Sequence, residues 1–197
     1  MTEQPQHVLF TQIKDRMAAC LTPEFIVSTK TIKGNTQKCE RVVILKIKEV
    51  LDAMGLTYTE AGSQQSKDFR NVGGIGLNLE IKKTDSPTIY FNDTCPSAEI
   101  FYVVLFTGKV NKRQNIPPQV CYINGAEFLR EAAEWIEEYT ADITALKDKY
   151  ARGENKKKLP GIMSVYPRPT FKADVSSFSG KIKCGRRRRR RNRRCGC

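Results

Sequence analysis

Glu80 and Lys82 stand two residues apart in the segment Ile75-Gly76-Leu77-Asn78-Leu79-Glu80-Ile81-Lys82, where apolar positions recur at every second place. Successive side chains of a strand leave opposite faces, so the acid and the lysine share one face, with Cα atoms about 7 Å apart. Ile75, Leu77, Leu79 and Ile81 anchor the other face in a core. A carboxylate and an ammonium fixed on a rigid strand suit phosphodiester hydrolysis. The carboxylate can ligate a hard cation such as Mg2+ beside waters and backbone oxygens, and the ammonium can stabilise an attacking hydroxide or the charge developing on phosphate. One carboxylate makes a poor Mg2+ site, and Asp68, twelve residues upstream, is the candidate for a second. From Asp68 the chain returns through Gly73-Gly74 into the Glu80 strand, and a hairpin of that length sets the two acids near each other on adjoining strands. Two carboxylates can hold one or two metal ions, which polarise a phosphate and lower the pKa of water. In most proteins Glu-x-Lys on an amphipathic strand is only a solvated ion pair. Asp68 and the glycine pair set this one apart.

The elements around these residues follow from periodicity. Phe10, Ile13, Met17 and Leu21 mark a helix over residues 8–21 that Pro23 ends. Val43, Ile47, Val50, Leu51 and Met54 mark a second over 38–54, with Gly55 as its stop. Leu56 to Thr59 is a short β-prone piece, and Thr88 to Phe91 a strand entered through Asp85-Ser86-Pro87. Ile100 to Phe106 is continuously apolar, as a central strand buried on both faces should be. From Gly125 a long helix runs towards Tyr150, with Leu129, Ala133, Ile136, Tyr139, Ile143 and Leu146 as its stripe. Helix, β-meander and helix in that order give an α/β (α+β) fold, a central mixed β-sheet flanked by helices. Residues 151–180 read as an extended arm and 181–197 as disordered.

The spacing Asp68-(x)11-Glu80-x-Lys82 resembles that of the PD-(D/E)XK nuclease superfamily, and more narrowly its type II restriction endonucleases. Residues Ser63 to Arg70 resemble the approach to the first acid, and Leu77 to Lys83 the second half-motif. Phe91-Asn92-Asp93-Thr94-Cys95-Pro96 is similar to an FNDT-P element of some restriction enzymes, and an apolar strand follows it here too. The resemblance covers roughly residues 35–110. It implies a restriction-endonuclease-like sandwich over residues 1–170, with 171–197 as a basic, disordered tail. Asp68 and Glu80 would bind Mg2+, and Lys82 would assist the nucleophilic water. Glu40 would be an additional helix acid near the metal, although a glutamate near a helix start is also favoured by the dipole alone. Asn92 and Asp93 would position the metal site or DNA, or else serve a tight turn. Lys67 stands where the motif has proline. The implied partner is double-stranded DNA, and a homodimer would bring two sites to the two strands of a pseudo-palindrome.

Composition bounds the alternatives. Of 34 basic residues, ten lie in the last 17 with no acid among them: Lys181, Lys183, Arg186, Arg187, Arg188, Arg189, Arg190, Arg191, Arg193 and Arg194. The preceding chain carries 24 basic against 21 acidic residues, so the net charge of +13 belongs mainly to the tail. Such a tail binds nucleic acid without sequence preference and with steep salt dependence, or serves nuclear import or packaging, a weak hint of a viral protein. A non-catalytic nucleic-acid-binding or packaging protein acting through these arginines is the alternative to a nuclease. Within the nuclease class, a repair or recombination enzyme that reads DNA shape is another. Cys20, Cys39, Cys95 and Cys121 read as buried small hydrophobes, and Cys184, Cys195 and Cys197 could bind metal or cross-link. His7 is the sole histidine, which argues against histidine-based chemistry, and no phosphate-binding glycine loop points to a nucleotide cofactor. Trp135 reads as helix packing rather than base stacking, while Lys109, Lys112 and Arg113 lie on a solvated loop within reach of phosphates. With neither a membrane-spanning run nor a secretory pattern, the chain is expected to be intracellular, cytoplasmic or nuclear, and not secreted.

Overall fold

The computed structural model describes residues 4–32, 34–60, 67–91, 95–110, 115–151 and 171–175. Three helices open the chain: α1 (Pro5–Cys20), α2 (Pro23–Ser28) and α3 (Thr36–Ala53). Pro23 ends the first helix as expected, but it also begins another. It sits in the first turn of α2, where its missing N–H costs nothing, and the Thr22 side chain caps the Phe25 amide. Gly55, at φ +66°, closes α3 in the left-handed conformation that glycine adopts without penalty.

The strands are β1 (Thr59–Glu60), β2 (Phe69–Val72), β3 (Leu77–Thr84), β4 (Thr88–Phe91), β5 (Phe101–Phe106), β6 (Lys109–Val110), β7 (Asn115–Ile116), β8 (Gln119–Asn124) and β9 (Phe171–Asp174). Five of them form a mixed sheet in the order β1-β2-β3-β5-β8. Among the described strands only β3 and β5 run parallel, with Glu80 opposite Tyr102 and Lys82 opposite Val104. The expected meander is therefore wrong. A parallel return needs a crossover, and β4 leaves the sheet to provide one, pairing instead with β9. β5 is buried along its whole length, as its apolar run requires.

Two cores lie on the two faces of this sheet. α1, α2 and α3 cover one, where Ile13, Met17, Ile47 and Leu51 meet Phe69, Leu77, Leu79, Val103 and Leu105. On the other, Ile89, Phe91 and Val175 pack against Tyr102, Val104 and Phe106, with Phe128 from α4 (Gly125–Leu129) beside them.

Several expectations change here. Residues 119–124, to which periodicity assigned no element, form β8, with Cys121 and Ile123 in the second core. The long C-terminal helix is two, because Arg130 turns to φ +46° between α4 and α5 (Ala132–Ala151). Trp135 is 62% exposed and stacks on Tyr139 at 5.9 Å, so it is not core packing. Residues 171–174, expected in the arm and tail, form β9, and Val175 after them is 1% exposed, so this stretch packs with the folded part. Of the four cysteines read as buried, only Cys121 is; Cys39 and Cys95 are half-buried and Cys20 is exposed. The arginine run from Arg186 to Arg191, with Arg193 and Arg194, lies outside the described residues. Among the described residues, no helix is long and apolar enough to cross a membrane.

Candidate active site

The turn between β2 and β3 sets the register of the site. Asn71, Gly73, Gly74 and Gly76 all have positive φ. The Asn71 side chain accepts the Gly76 amide at 2.8 Å, and the Gly74 amide donates to the Asn71 carbonyl at 3.0 Å. Phe69 then lies opposite Leu79, and Asp68, one residue outside β2, falls beside Glu80 and Ile81. β2 does not extend far enough to pair with Ile81, so the Asp68 carboxylate accepts the Ile81 N–H at 2.7 Å in its place. The structure thus brings Asp68 to the strand that carries Glu80 and Lys82.

Glu80 is held at both oxygens. Oε1 accepts from the Lys82 ammonium at 2.6 Å, and Oε2 accepts from the backbone N–H of Lys67 at 2.5 Å. Glu80 is 13% and Lys82 22% exposed at the side chain, so this pair is much drier than a surface ion pair. A cavity of about 370 Å³ opens over Asp68, Glu80, Lys82 and Glu40, with Lys83 and Tyr90 on its wall. A smaller one of about 160 Å³ lies against Lys67, Cys95 and Tyr102, and Glu80 and Lys82 border both.

Burial is the main force on Asp68 and pushes its carboxyl up to about 6. The Ile81 amide and the Lys82 charge act the other way, while the charges of Glu80 and Glu40 raise it further. Mutual repulsion of carboxylates in a poorly hydrated pocket favours a cation among them. Among the described residues no three acidic, histidine or cysteine side chains converge closely enough to cage a metal unaided. Two carboxylates with Glu40 on the rim leave positions for water and backbone oxygen, a donor set that suits Mg2+, which keeps several of its waters.

Glu40 is exposed on the first turns of α3, yet its charge reaches Asp68 across the cavity. Asn92 and Asp93 lie outside the described residues, as do Lys112 and Arg113; Lys109 lies in β6. A second polar cluster beside the site went unread in the sequence. Lys83, 3% exposed at its side chain, donates to Asp85 at 2.9 Å and to Thr31 Oγ1 at 2.9 Å. Asp85 also accepts from Thr107 Oγ1 at 2.7 Å and the Thr31 amide at 3.2 Å. Burial pushes the Asp85 carboxyl up, but the hydrogen bonds from Thr107, Thr31 and Lys83 and the Lys83 charge outweigh it and hold it down at about 2. The signal was there in Lys83-x-Asp85, one residue off the Glu80-Lys82 phase and so on the opposite face.

Compared with protein-family models, curated proteins and solved structures, the chain matches none.

Proposed function

We propose that the chain is an Mg2+-dependent endodeoxyribonuclease of the PD-(D/E)XK kind, with the restriction-endonuclease-like sandwich and the sequence-specific cutting of a type II restriction enzyme. The observation that carries this reading is the convergence of Asp68, Glu80 and Lys82 at one cavity, from the end of one strand and the face of the next. When bound by Asp68 and Glu80, Mg2+ would supply positive charge to the scissile phosphate. Lys82, 2.6 Å from Glu80, orients a water for in-line attack and offsets the negative charge that grows on the phosphoryl oxygens. Glu80 fixes the lysine in turn, so the pair acts as a unit. Glu40 adds negative charge at the rim of the cation site.

The test is incubation of the full chain with plasmid and phage DNA, with Mg2+ or with EDTA. Discrete Mg2+-dependent fragments are expected. Glu80→Gln and Lys82→Ala should each slow cutting by roughly a hundredfold to a thousandfold while still shifting DNA on a gel. DNA that shifts but stays intact with wild-type protein, more weakly at high salt, would favour a packaging protein acting through the arginines.

A further inference from the structure

We infer that Lys67 is a positioning residue for Glu80, acting through its backbone amide rather than its ammonium. The inference rests on the reading of Glu80 as a metal-binding acid. A glutamate side chain swings about three bonds, and here two donors fix it: the Lys82 ammonium at Oε1 and the Lys67 N–H at Oε2. The Lys82 ammonium has three N–H donors on a flexible stem and, on the proposed reading, divides them between Glu80 and the phosphate. The backbone amide can stay in place throughout, so it is the donor that keeps the carboxylate aimed when the ammonium turns to substrate.

The backbone at residue 67 is shaped for this. Lys67 has φ +85°, in the half of conformational space that side chains other than glycine rarely occupy. Residues are held in such conformations only where their surroundings over-determine them, and such positions cluster at functional sites. The Lys67 side chain runs back along the smaller cavity, and its ammonium comes no nearer than 3.9 Å to Glu99, itself 80% exposed. That contact is too long and too wet to account for the conformation. The bond from its N–H to Glu80, a side chain only 13% exposed, is far shorter and drier. A proline here would be locked near φ −65° and would have no N–H to give. The departure from the motif at this position therefore supplies a contact to the second acid that proline could not make.

Four versions of the full chain test this: wild type, Lys67→Gly, Lys67→Pro and Glu80→Ala. Two measurements are made, neither of which needs DNA cleavage. Calorimetric titration with Mn2+ reads the affinity of the acids for a divalent ion. Nitrogen-edited NMR reads the residue 67 amide of wild type and of Glu80→Ala. Glycine keeps both the N–H and the positive φ, so Lys67→Gly should bind Mn2+ as wild type does. Lys67→Pro should bind it about 10–100-fold more weakly, the usual loss when a partner of a metal ligand is removed. The wild-type Lys67 amide proton should resonate far downfield and move upfield in Glu80→Ala. An amide indifferent to Glu80→Ala in a protein that binds Mn2+ overturns the positioning role alone. So does equal weakening in the glycine and proline variants, which would place the effect in the ammonium. Wild-type protein that binds no Mn2+, with an amide that does respond to Glu80→Ala, overturns the metal-site reading and the role built on it. Should Lys67→Pro fail to fold, the amide shift and the glycine variant decide the matter.

Discussion

Two lysines one residue apart on β3 meet opposite fates. Lys82 faces a cavity with Glu80, while Lys83 is buried in a closed set of partners with Asp85, Thr31 and Thr107. The second arrangement ties the segment before α3 to the ends of β3 and β5, and so holds the wall of the cavity. Asp85→Asn would leave the Lys83 ammonium buried without a counter-charge, at a cost of about 3 kcal/mol and a fall in Tm of about 6–12 °C. The pH dependence has a definite sign. Asp85 in the fold lies at about 2, below its ordinary 3.8. Its contribution is complete above pH 3.8 and is lost as pH falls through 2, because the native state must then take up a proton it resists. Thermal melts of wild type between pH 4 and 2 should show this extra slope and those of Asp85→Asn should lack it, a comparison that parallel curves would refute. Much of this scale was legible in the sequence. The spacing of Asp68, Glu80 and Lys82 placed them together, since strand alternation and a glycine turn are local rules. The Lys67 conformation and the Thr31 and Thr107 contacts were not, because they depend on which distant segments the fold brings alongside β3.

At the scale of elements, periodicity found what had one exposed and one buried side, or none exposed. It gave α3, β3 and β5 within a few residues. It missed β8, whose run from Gln119 follows Pro117-Pro118 and carries too little alternation to stand out, and β9, which exists only because β4 offers it an edge. The division of α4 from α5 had no breaker residue to announce it: the turn falls on Arg130, flanked by good helix formers. Gly125 shows how closely these late elements are fitted. A Cβ there would lie 2.0 Å from the Ser97 carbonyl oxygen and 2.6 Å from that of Ile100, both backbone atoms that cannot step aside alone. The Gly125 amide donates to the Ile100 carbonyl at 2.9 Å, so the two segments are meant to touch. Gly125→Ala should therefore destabilise by about 3 kcal/mol or more, at or above the usual range for overpacking. Gly74→Ala, with φ +72° but open space around it, should cost only about 1–2 kcal/mol. Urea unfolding of both variants tests the order, and equal losses would show that the 97–100 segment yields freely.

For the whole molecule, charge and proposed chemistry occupy different parts of the chain. The part before residue 181 is nearly balanced, and ten basic residues follow it. If the tail supplies non-specific affinity, removing residues 181–197 should weaken DNA binding at low salt. It should also lessen the slope of log K against log salt by about 0.9 for each phosphate the tail neutralises. Fluorescence anisotropy across a salt series measures this, and an unchanged slope would assign phosphate binding to the folded part. The pairing of β4 with β9 bears on how the molecule is made. Asp68, Glu80 and Lys82 belong to one hairpin and can come together as soon as that hairpin closes. The second core cannot: Thr88 must wait for Asp174, and until that strand arrives Ile89, Phe91 and the far side of β5 have only part of their cover. Closing so long a loop is slow compared with zipping a hairpin. During synthesis, then, the second core is the later one to close, and until residue 175 emerges its apolar side chains lie partly uncovered and open to aggregation.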